Sequence, residues 1–425
     1  MSIYVNAYST VRADVPFQGA GAPAIASREL CFDSPAQPYL KTAANGAGEE
    51  DDKQTLELLE HLAGFAGYAA EQGEERFGNF NSYVLAVVQH IRSVRRHYVF
   101  EREDDFDFSH LGEFADWARE ANAVFFLADG TVRNASGADL LDPALVGSSP
   151  ANGAQANSVP RHPGSEDRMR RVRGALWRQG YQVAPTLPPV RSEAEILLRP
   201  AEEVFNRAVA LSVVATAAAS VLRGEAVNFA ALRAGAQRTF GNLTKVEQAF
   251  LERVEAAQES AGEMPGEVPG AVPGEASGEA TGEATGAPTY SQDLQEDAYQ
   301  LAWAYTASEF LAWALGLMDI DVFSFTPVDL AALRSALRSI DRENQDAAAL
   351  PMRSLSEICE AFEYIYSLRW VSVEQQLEAS GQAGVGQTGS AQLQPQDHSI
   401  LVERHRALAW LTDPTIAYDD VDLST

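Results

Sequence analysis

The sequence predicts an α+β N-terminal domain, about residues 1–142, followed by a mainly α-helical C-terminal domain over 165–425. Three observations carry this reading. Period-two alternation of apolar and polar residues is confined to the first third of the chain. In the back half apolar residues recur at three and four, behind helix-start signals. Between them, residues 143–164 are rich in Ser, Pro, Gly, Ala and Asn and read as a linker.

In the first domain, Ser2 to Ser9 is strand-like. Lys53 to Gln72 carries Leu56, Leu59, His61, Leu62, Phe65 and Ala69 near a 3.6 period, which predicts a helix. Tyr83 to Arg96, with Val84, Val87, Val88, Ile91 and Val94, predicts a second. Tyr98 to Glu103 alternates as a half-buried strand does. Asp129-Gly130 stands between apolar runs over Val124 to Val132, the signature of a tight hairpin with two positive-φ residues.

In the second domain, Ser192 with Glu195 has capping-box spacing. Pro200 fits the first turn of the next helix, which runs to about Leu222. Leu294 to Met318 reads as one long amphipathic helix bearing Trp303, Phe310 and Trp313. Thr326-Pro327 predicts another, with Thr as cap. Ser354 and Glu357 form a second capping box, and Ser399 to Leu411 is the last helix. Two stretches interrupt the pattern. From Gly262 to Gly286 glycine falls at every fourth position, mostly followed by Glu, so 258–290 is expected to be a disordered insertion. Residues 379–396, rich in Gly, Gln and Ser, read as a loose loop.

The 425 residues carry 32 Lys+Arg against 60 Asp+Glu, a net charge of −28. Such a chain repels polyanions, so neither nucleic acid nor an anionic membrane is an expected partner. Only Lys41, Lys53 and Lys245 are lysines; an acidic, lysine-poor composition is also that of salt adaptation. Cys31 and Cys359 form no metal-spaced or redox motif and read as reduced, buried thiols. No basic and apolar leader opens the chain, and Ala208 to Leu222 is too short for a span, so a cytoplasmic protein is expected.

Several C-terminal segments, in order, carry a family likeness. They are RGALWRQGYQVAPTLPPVRSEAEILLRPAEEVFNRAVALSVV (173–214), VEQAFL (246–251), SEFLAWALGL (308–317), RSLSEICEAFEYIYSLRW (353–370), LVERHRALAWL (401–411) and YDDVDLST (418–425). Over most of 170–425 the chain resembles the bacterial DUF4272 family. NFNSYVLAVVQHI and WAREANAVFFLADGTVRN resemble the extension found in its longer members. Tyr418 stands where a Trp is expected before the acidic pair. The resemblance implies a family, with no activity, substrate or cofactor attached.

On the final helix, Leu401, His405 and Leu408 share one apolar face, while Glu403, Arg406 and Trp410 share another. His405 is therefore a candidate general base with Asp419 or Asp420 to orient it, or else a buried, hydrogen-bonded histidine. Glu203 and Arg207, spaced i, i+4, favour an ion pair. Glu203, Arg207, Arg369, His405, Arg406, Asp419 and Asp420 gathered at one point would form either an internal network or a ligand pocket.

Metal motifs are weak. His90 and His97, seven apart on the expected helix, stand about 10 Å apart along its axis. The Asp104–Asp107 and Asp419–Asp422 clusters lack the remainder of a calcium loop. No metal or cofactor is expected, and no nucleotide or hydrolase motif is present. Arg168, Arg170, Arg171, Arg173 and Arg178, with Trp177 nearby, are the one basic run. They fit contact with phosphate or an acidic partner, or neutralisation and docking within the chain. The expectation is a non-enzymatic protein-interaction module. The alternative is an enzyme or small-ligand sensor around His405, with Asp419, Asp420, Arg207 and Arg369. The oligomeric state is not set by the sequence.

Overall fold

The computed structural model describes residues 2–19, 21–32, 38–42, 51–103, 105–146, 159–185, 187–235, 240–262, 288–342, 346–380 and 391–423. The core of the glycine-repeat segment, most of the expected linker and the centre of the Gly/Gln loop lie outside them. The chain divides into two compact units, 1–175 with 185–197, and 176–184 with 198–425.

The first unit is built on an antiparallel sheet. Its strands are β1 (Ile3–Ser9), β2 (Ala24–Phe32), β3 (Pro38–Thr42), β4 (Arg96–Arg102), β5 (Ala123–Phe126) and β6 (Val132–Arg133), in the order β3-β2-β4-β1-β5-β6. β1 is paired on both sides, Val5 opposite Phe100 of β4 and Asn6 opposite Phe126 of β5. Its alternation serves two cores. Tyr8 packs with Leu62, Phe65, Val87 and Ile91 of helices α1 (Asp51–Phe77) and α2 (Ser82–Arg92). Val5 and Ala7 pack with Phe114, Trp117 and Ala118, from a 3-10 turn and helix α3 (Ala115–Ala121). Helices on both sheet faces leave little of it to water.

Three local expectations change. Helix α2 stops at Arg92, with Ser93 as its C-cap, and the chain enters β4 at Arg96. His97 therefore lies on a strand opposite Tyr8, and the helical spacing inferred for His90 and His97 does not apply. The Asp129-Gly130 turn is not the doubly left-handed kind. Leu127 N–H donates to the Thr131 carbonyl (3.2 Å), Gly130 N–H donates to the Leu127 carbonyl (3.0 Å), and Gly130 alone in this loop has positive φ (79°). This is a three-residue loop closed by a left-handed glycine. Strand β2 carries no clean alternation: Leu30 and Cys31 are buried in succession.

After the short helix α4 (Pro143–Val146), helix α5 (Pro163–Arg178) precedes the helical unit. That unit comprises α6 (Ala201–Leu222), α7 (Phe229–Gly235), α8 (Lys245–Gly262), α9 (Gln292–Ala302), α10 (Ala304–Ala314), α11 (Leu330–Arg342), α12 (Leu355–Ala379) and α13 (Pro395–Leu411). α6 is central. Among the described residues it alone is long and apolar enough to cross a membrane, and most of its apolar length is buried in the fold. Its alanines permit close approach: Ser308 of α10 donates to the Ala208 carbonyl at 2.7 Å. Val214, Ala218 and Val221 pack against Phe250 and Val254 of α8 and Leu294 and Ala298 of α9.

Here too the tertiary structure edits the local pattern. The expected helix over Leu294 to Met318 breaks at Trp303, whose N–H turns back to the Gln300 carbonyl. The break lets α9 pack on α6 and α8 while α10 reaches α6 and α13. The cap of α11 is not Thr326. Asp329 accepts from the N–H groups of Ala331 and Ala332, so the helix starts three residues later. Ser354 and Glu357 do form a reciprocal capping box for α12. The flanks of the glycine-repeat segment are defined: α8 runs to Gly262, and Tyr290 is buried.

Candidate functional site

Helix α13 sorts its polar residues by face. Leu401, His405 and Leu408 are all buried, as the spacing requires. The His405 ring lies against Phe362 (5.7 Å between centroids) and Tyr366 (5.6 Å) of α12. Burial, reinforced by the charge of Arg369, lowers its pKa to about 4, so the ring is neutral at pH 7. Its Nδ1 is buried and bonded to no described residue. Asp419 and Asp420 are exposed on the short turn Tyr418–Asp420, and neither bonds to His405. The orienting role expected of them is not found. The ring is packed between aromatic side chains, and the charge of Asp422 in the chain's acidic tail also acts on it.

The other face of α13 carries Glu403, Arg406 and Trp410. Arg406 pairs with Glu403 at 3.1 Å, and the Trp410 ring meets Tyr418 edge to face at 5.8 Å. Tyr418 is buried, and the Arg207 guanidinium lies 4.5 Å from its ring centre. Burial raises the pKa of Glu403, opposed by Arg406 and assisted by Glu247. Burial also pushes the Tyr418 phenol far up.

The expected Glu203–Arg207 pair does not form. Arg207 pairs instead with Glu247 of α8, both side chains buried. Glu203, one turn earlier on α6 and half-exposed, pairs with Arg199. Glu247 divides its carboxylate between two tasks. One oxygen takes Arg207; the other accepts from Thr244 N–H at 2.9 Å, while Thr244 Oγ1 accepts from Glu247 N–H at 3.3 Å. Thr244-x-x-Glu247 is a capping box, and that spacing could have marked Glu247 in the sequence.

Arg199 and Arg404 carried no local signal. Arg199 donates to the carbonyls of Trp410 (2.7 Å), Asp413 (2.9 Å) and Ile416, clamping the end of α13 and the turn after it. Its guanidinium lies 4.2 Å from the Trp410 ring centre. Arg404 donates to the carbonyls of Val322 (3.2 Å) and Ser324 (2.6 Å) and lies over Phe310. Burial brings its pKa down to about 10.

The seven expected residues therefore do not meet at one point. Arg207, Arg406, Glu403, Tyr418 and the newly found Glu247 form one cluster, with Glu203 tied to it through Arg199. His405 and Arg369 lie along the α12–α13 seam, where Arg369 acts on both His405 and His398. Asp419 and Asp420 belong to neither. Chemically the first cluster is a charge network. The second offers a neutral imidazole, on which the charge of Asp422 acts against the effect of burial. Cys359, on the same helix as Phe362, is a buried thiol, as is Cys31 of β2.

Residues 168–421 match the family model described as a domain of unknown function, DUF4272. The chain belongs to the DUF4272 family. No curated protein and no solved structure matches it.

The DUF4272 region starts inside α5, and its first stretch packs within the sheet-bearing unit. Arg168 is buried and reaches the Arg191 carbonyl (2.7 Å) and the Glu193 carboxylate (3.1 Å). The Ser192–Glu195 box expected to start a helix makes only a turn: the Ser192 hydroxyl takes no backbone donor, and Glu195 alone supplies its half. Its buried carboxylate accepts from Thr10 Oγ1 (2.6 Å), Asn122 Nδ2 (3.0 Å) and Ser192 N–H (2.6 Å). Burial pushes its pKa up, but the bonds from Thr10 and Ser192 outweigh it, and the net shift is downward. Glu195→Ala is expected to cost about 3 kcal/mol at pH 7, since it strands three buried donors. With a depressed folded pKa, the Glu195 contribution is present above pH 4.5 and is lost as pH falls through that pKa. Urea unfolding of the variant and wild type at pH 7 and at pH 3 checks this: the gap must narrow in acid.

Proposed function

We propose that this DUF4272 protein is a non-enzymatic protein-interaction module of the cytoplasm. The supporting observation is the placement of its reactive groups. His405 is packed against Phe362 and Tyr366, and within the helical unit Arg406 pairs with Glu403 and Arg207 with Glu247. Phe310, Trp313 and Tyr364 are buried in the core of the helical unit. The net charge of −28 weighs against nucleic acid and anionic membranes as partners. Affinity capture of the full chain from its native host is expected to recover a stoichiometric protein partner; recovery of none overturns the reading.

A second reading, a small-ligand sensor or enzyme using the polar cluster, has one observation in its favour. Arg207 Nε, Glu403 Oε2 and Tyr418 Oη are all buried and bonded to no described residue. A thermal-shift screen against metabolites tests it: a ligand that binds only the folded chain raises the melting point. The His405→Ala variant should abolish that rise if His405 takes part.

A further inference from the structure

Six arginines among the described residues keep a buried nitrogen without a hydrogen bond: Arg102, Arg168, Arg173, Arg207, Arg369 and Arg404. Five of them are held through their other nitrogens. Arg102 pairs with Glu113, for example, and Arg173 donates to the carbonyls of Leu187 (2.9 Å) and Pro188 (3.0 Å). Arg369 of α12 makes no hydrogen bond or ion pair with any described residue. It is half-buried, its Nε is enclosed, and burial pulls its pKa down. A cation taken out of water without a counter-charge is costly, and an enclosed donor without an acceptor needs an explanation.

Two contacts bracket this arginine within the helical unit. At one end Phe362 and Tyr366 of α12 meet the His405 ring of α13. At the other, Ser372 Oγ lies 2.6 Å from His398 Nδ1. Residues 362, 366, 369 and 372 follow at four, three and three on one face of α12, so Arg369 falls between the contacts. Its charge acts on both His398 and His405. Both rings have lowered pKa values and are neutral at pH 7, which leaves Arg369 the full positive charge between them. The Nδ1 of His405 is enclosed and unbonded among the described residues, and a neutral imidazole can carry its hydrogen there. The rim of the seam is open: Tyr366, Arg369, Trp370, His398 and Val402 are half-buried.

We propose that the α12–α13 seam binds a small apolar monocarboxylate, its anion on the Arg369 guanidinium and its apolar body beside Phe362 and Tyr366. The inference rests on the small-ligand reading and gives that ligand its chemical class. Three features select it. The guanidinium fork matches a carboxylate in plane and spacing. One positive charge answers one negative charge; the second charge of a phosphate would meet Asp422, which already acts on His405. The aromatic rings of Phe362 and Tyr366 offer an apolar wall that a bare inorganic ion would not use. A polyanion is disfavoured further by the net charge of −28.

The test uses the full chain and the sodium salts of acetate, butyrate and benzoate, against chloride and phosphate at equal ionic strength. At least one of the two apolar carboxylates, butyrate or benzoate, is expected to raise the melting point and to bind more tightly than acetate, chloride or phosphate. Arg369→Gln is expected to weaken that binding roughly tenfold or more, the loss of a charge-assisted pair. Arg338→Gln, at an exposed arginine of α11, is expected to leave it unchanged. A second readout needs no variant. A carboxylate bound at Arg369 brings a negative charge to His398 and His405, so proton NMR of the wild-type chain should show their pKa values rising when the carboxylate saturates. Binding that survives Arg369→Gln overturns the proposal, as do phosphate binding more tightly than every carboxylate and histidine titrations that the bound carboxylate leaves unmoved. If no carboxylate binds while another metabolite raises the melting point, the carboxylate site falls alone. If no compound raises it, the small-ligand reading falls with it.

Discussion

Arg207→Met is expected to destabilise the helical unit by about 3–5 kcal/mol, the usual cost of removing one partner from a buried ion pair. Both side chains of the Arg207–Glu247 pair are 5% exposed, so water cannot take over from the lost guanidinium. Glu247 would keep its capping bonds to Thr244 but lose its counter-charge beside Glu403. Tyr418 would lose the cation over its ring. The methionine replaces much of the arginine stem, so the loss reports charge more than volume. The double variant Arg207→Met/Glu247→Gln removes the stranded charge and keeps an acceptor for Thr244. It should recover a substantial part of the loss. Chemical denaturation of the four-member cycle measures the coupling. A single variant within about 1 kcal/mol of wild type would mean that the pair is solvated and the network is not a core feature.

The second large effect is on acid stability. His405 has its pKa lowered from 6.5 to about 4 by burial, with Arg369 adding to the shift. Between these values the unfolded chain binds a proton that the folded chain refuses. Stability is therefore full above pH 6.5 and falls as pH drops toward 4. The shift corresponds to about 3 kcal/mol at most for this 3% exposed residue. Glu309 and Glu403 act oppositely, since burial raises their pKa values and proton uptake favours the folded state. The His405 contribution is isolated by comparison with His405→Gln, which does not titrate. Urea midpoints from pH 8 to pH 4.5 should show the variant gaining on wild type as pH falls. A constant gap would mean that the imidazole titrates normally and is open to water. In the first unit, His90 and His97 are also buried and lowered to about 4, so acid sensitivity is expected there too.

Much of the fold was legible because it rests on local physics. The alternation in Ile3–Ser9 marks β1 because its two faces meet two apolar cores. Ser354 and Glu357 mark the start of α12 because the box satisfies its own backbone groups whatever packs nearby. At Ser192 and Glu195 the same spacing forms only half of the box: Glu195 accepts from Ser192 N–H, but the Ser192 hydroxyl takes no backbone donor. Helix α9–α10 was read as one because periodicity cannot see that its halves serve different neighbours.

The candidate site was legible by face and illegible by partner. Helical spacing placed His405 with Leu401 and Leu408, and Glu403 with Arg406, because one helix fixes those directions. It could not choose Glu247 over Glu203 for Arg207, since that choice depends on which element covers the arginine. Nor could it keep Asp419 and Asp420 from His405, because Arg199 fixes the turn that leads to them through bonds to the carbonyls of Asp413 and Ile416.

What the chain settled alone was its division into a sheet-bearing front and a helical back, its family, its charge and which side chains share a helix face. These depend on neighbours within a few residues. Which charges meet, where a long helix breaks, and which arginines turn inward on α5 were decided only when distant segments packed. A carboxylate or guanidinium is satisfied by whatever lies closest in space, and sequence distance does not measure that.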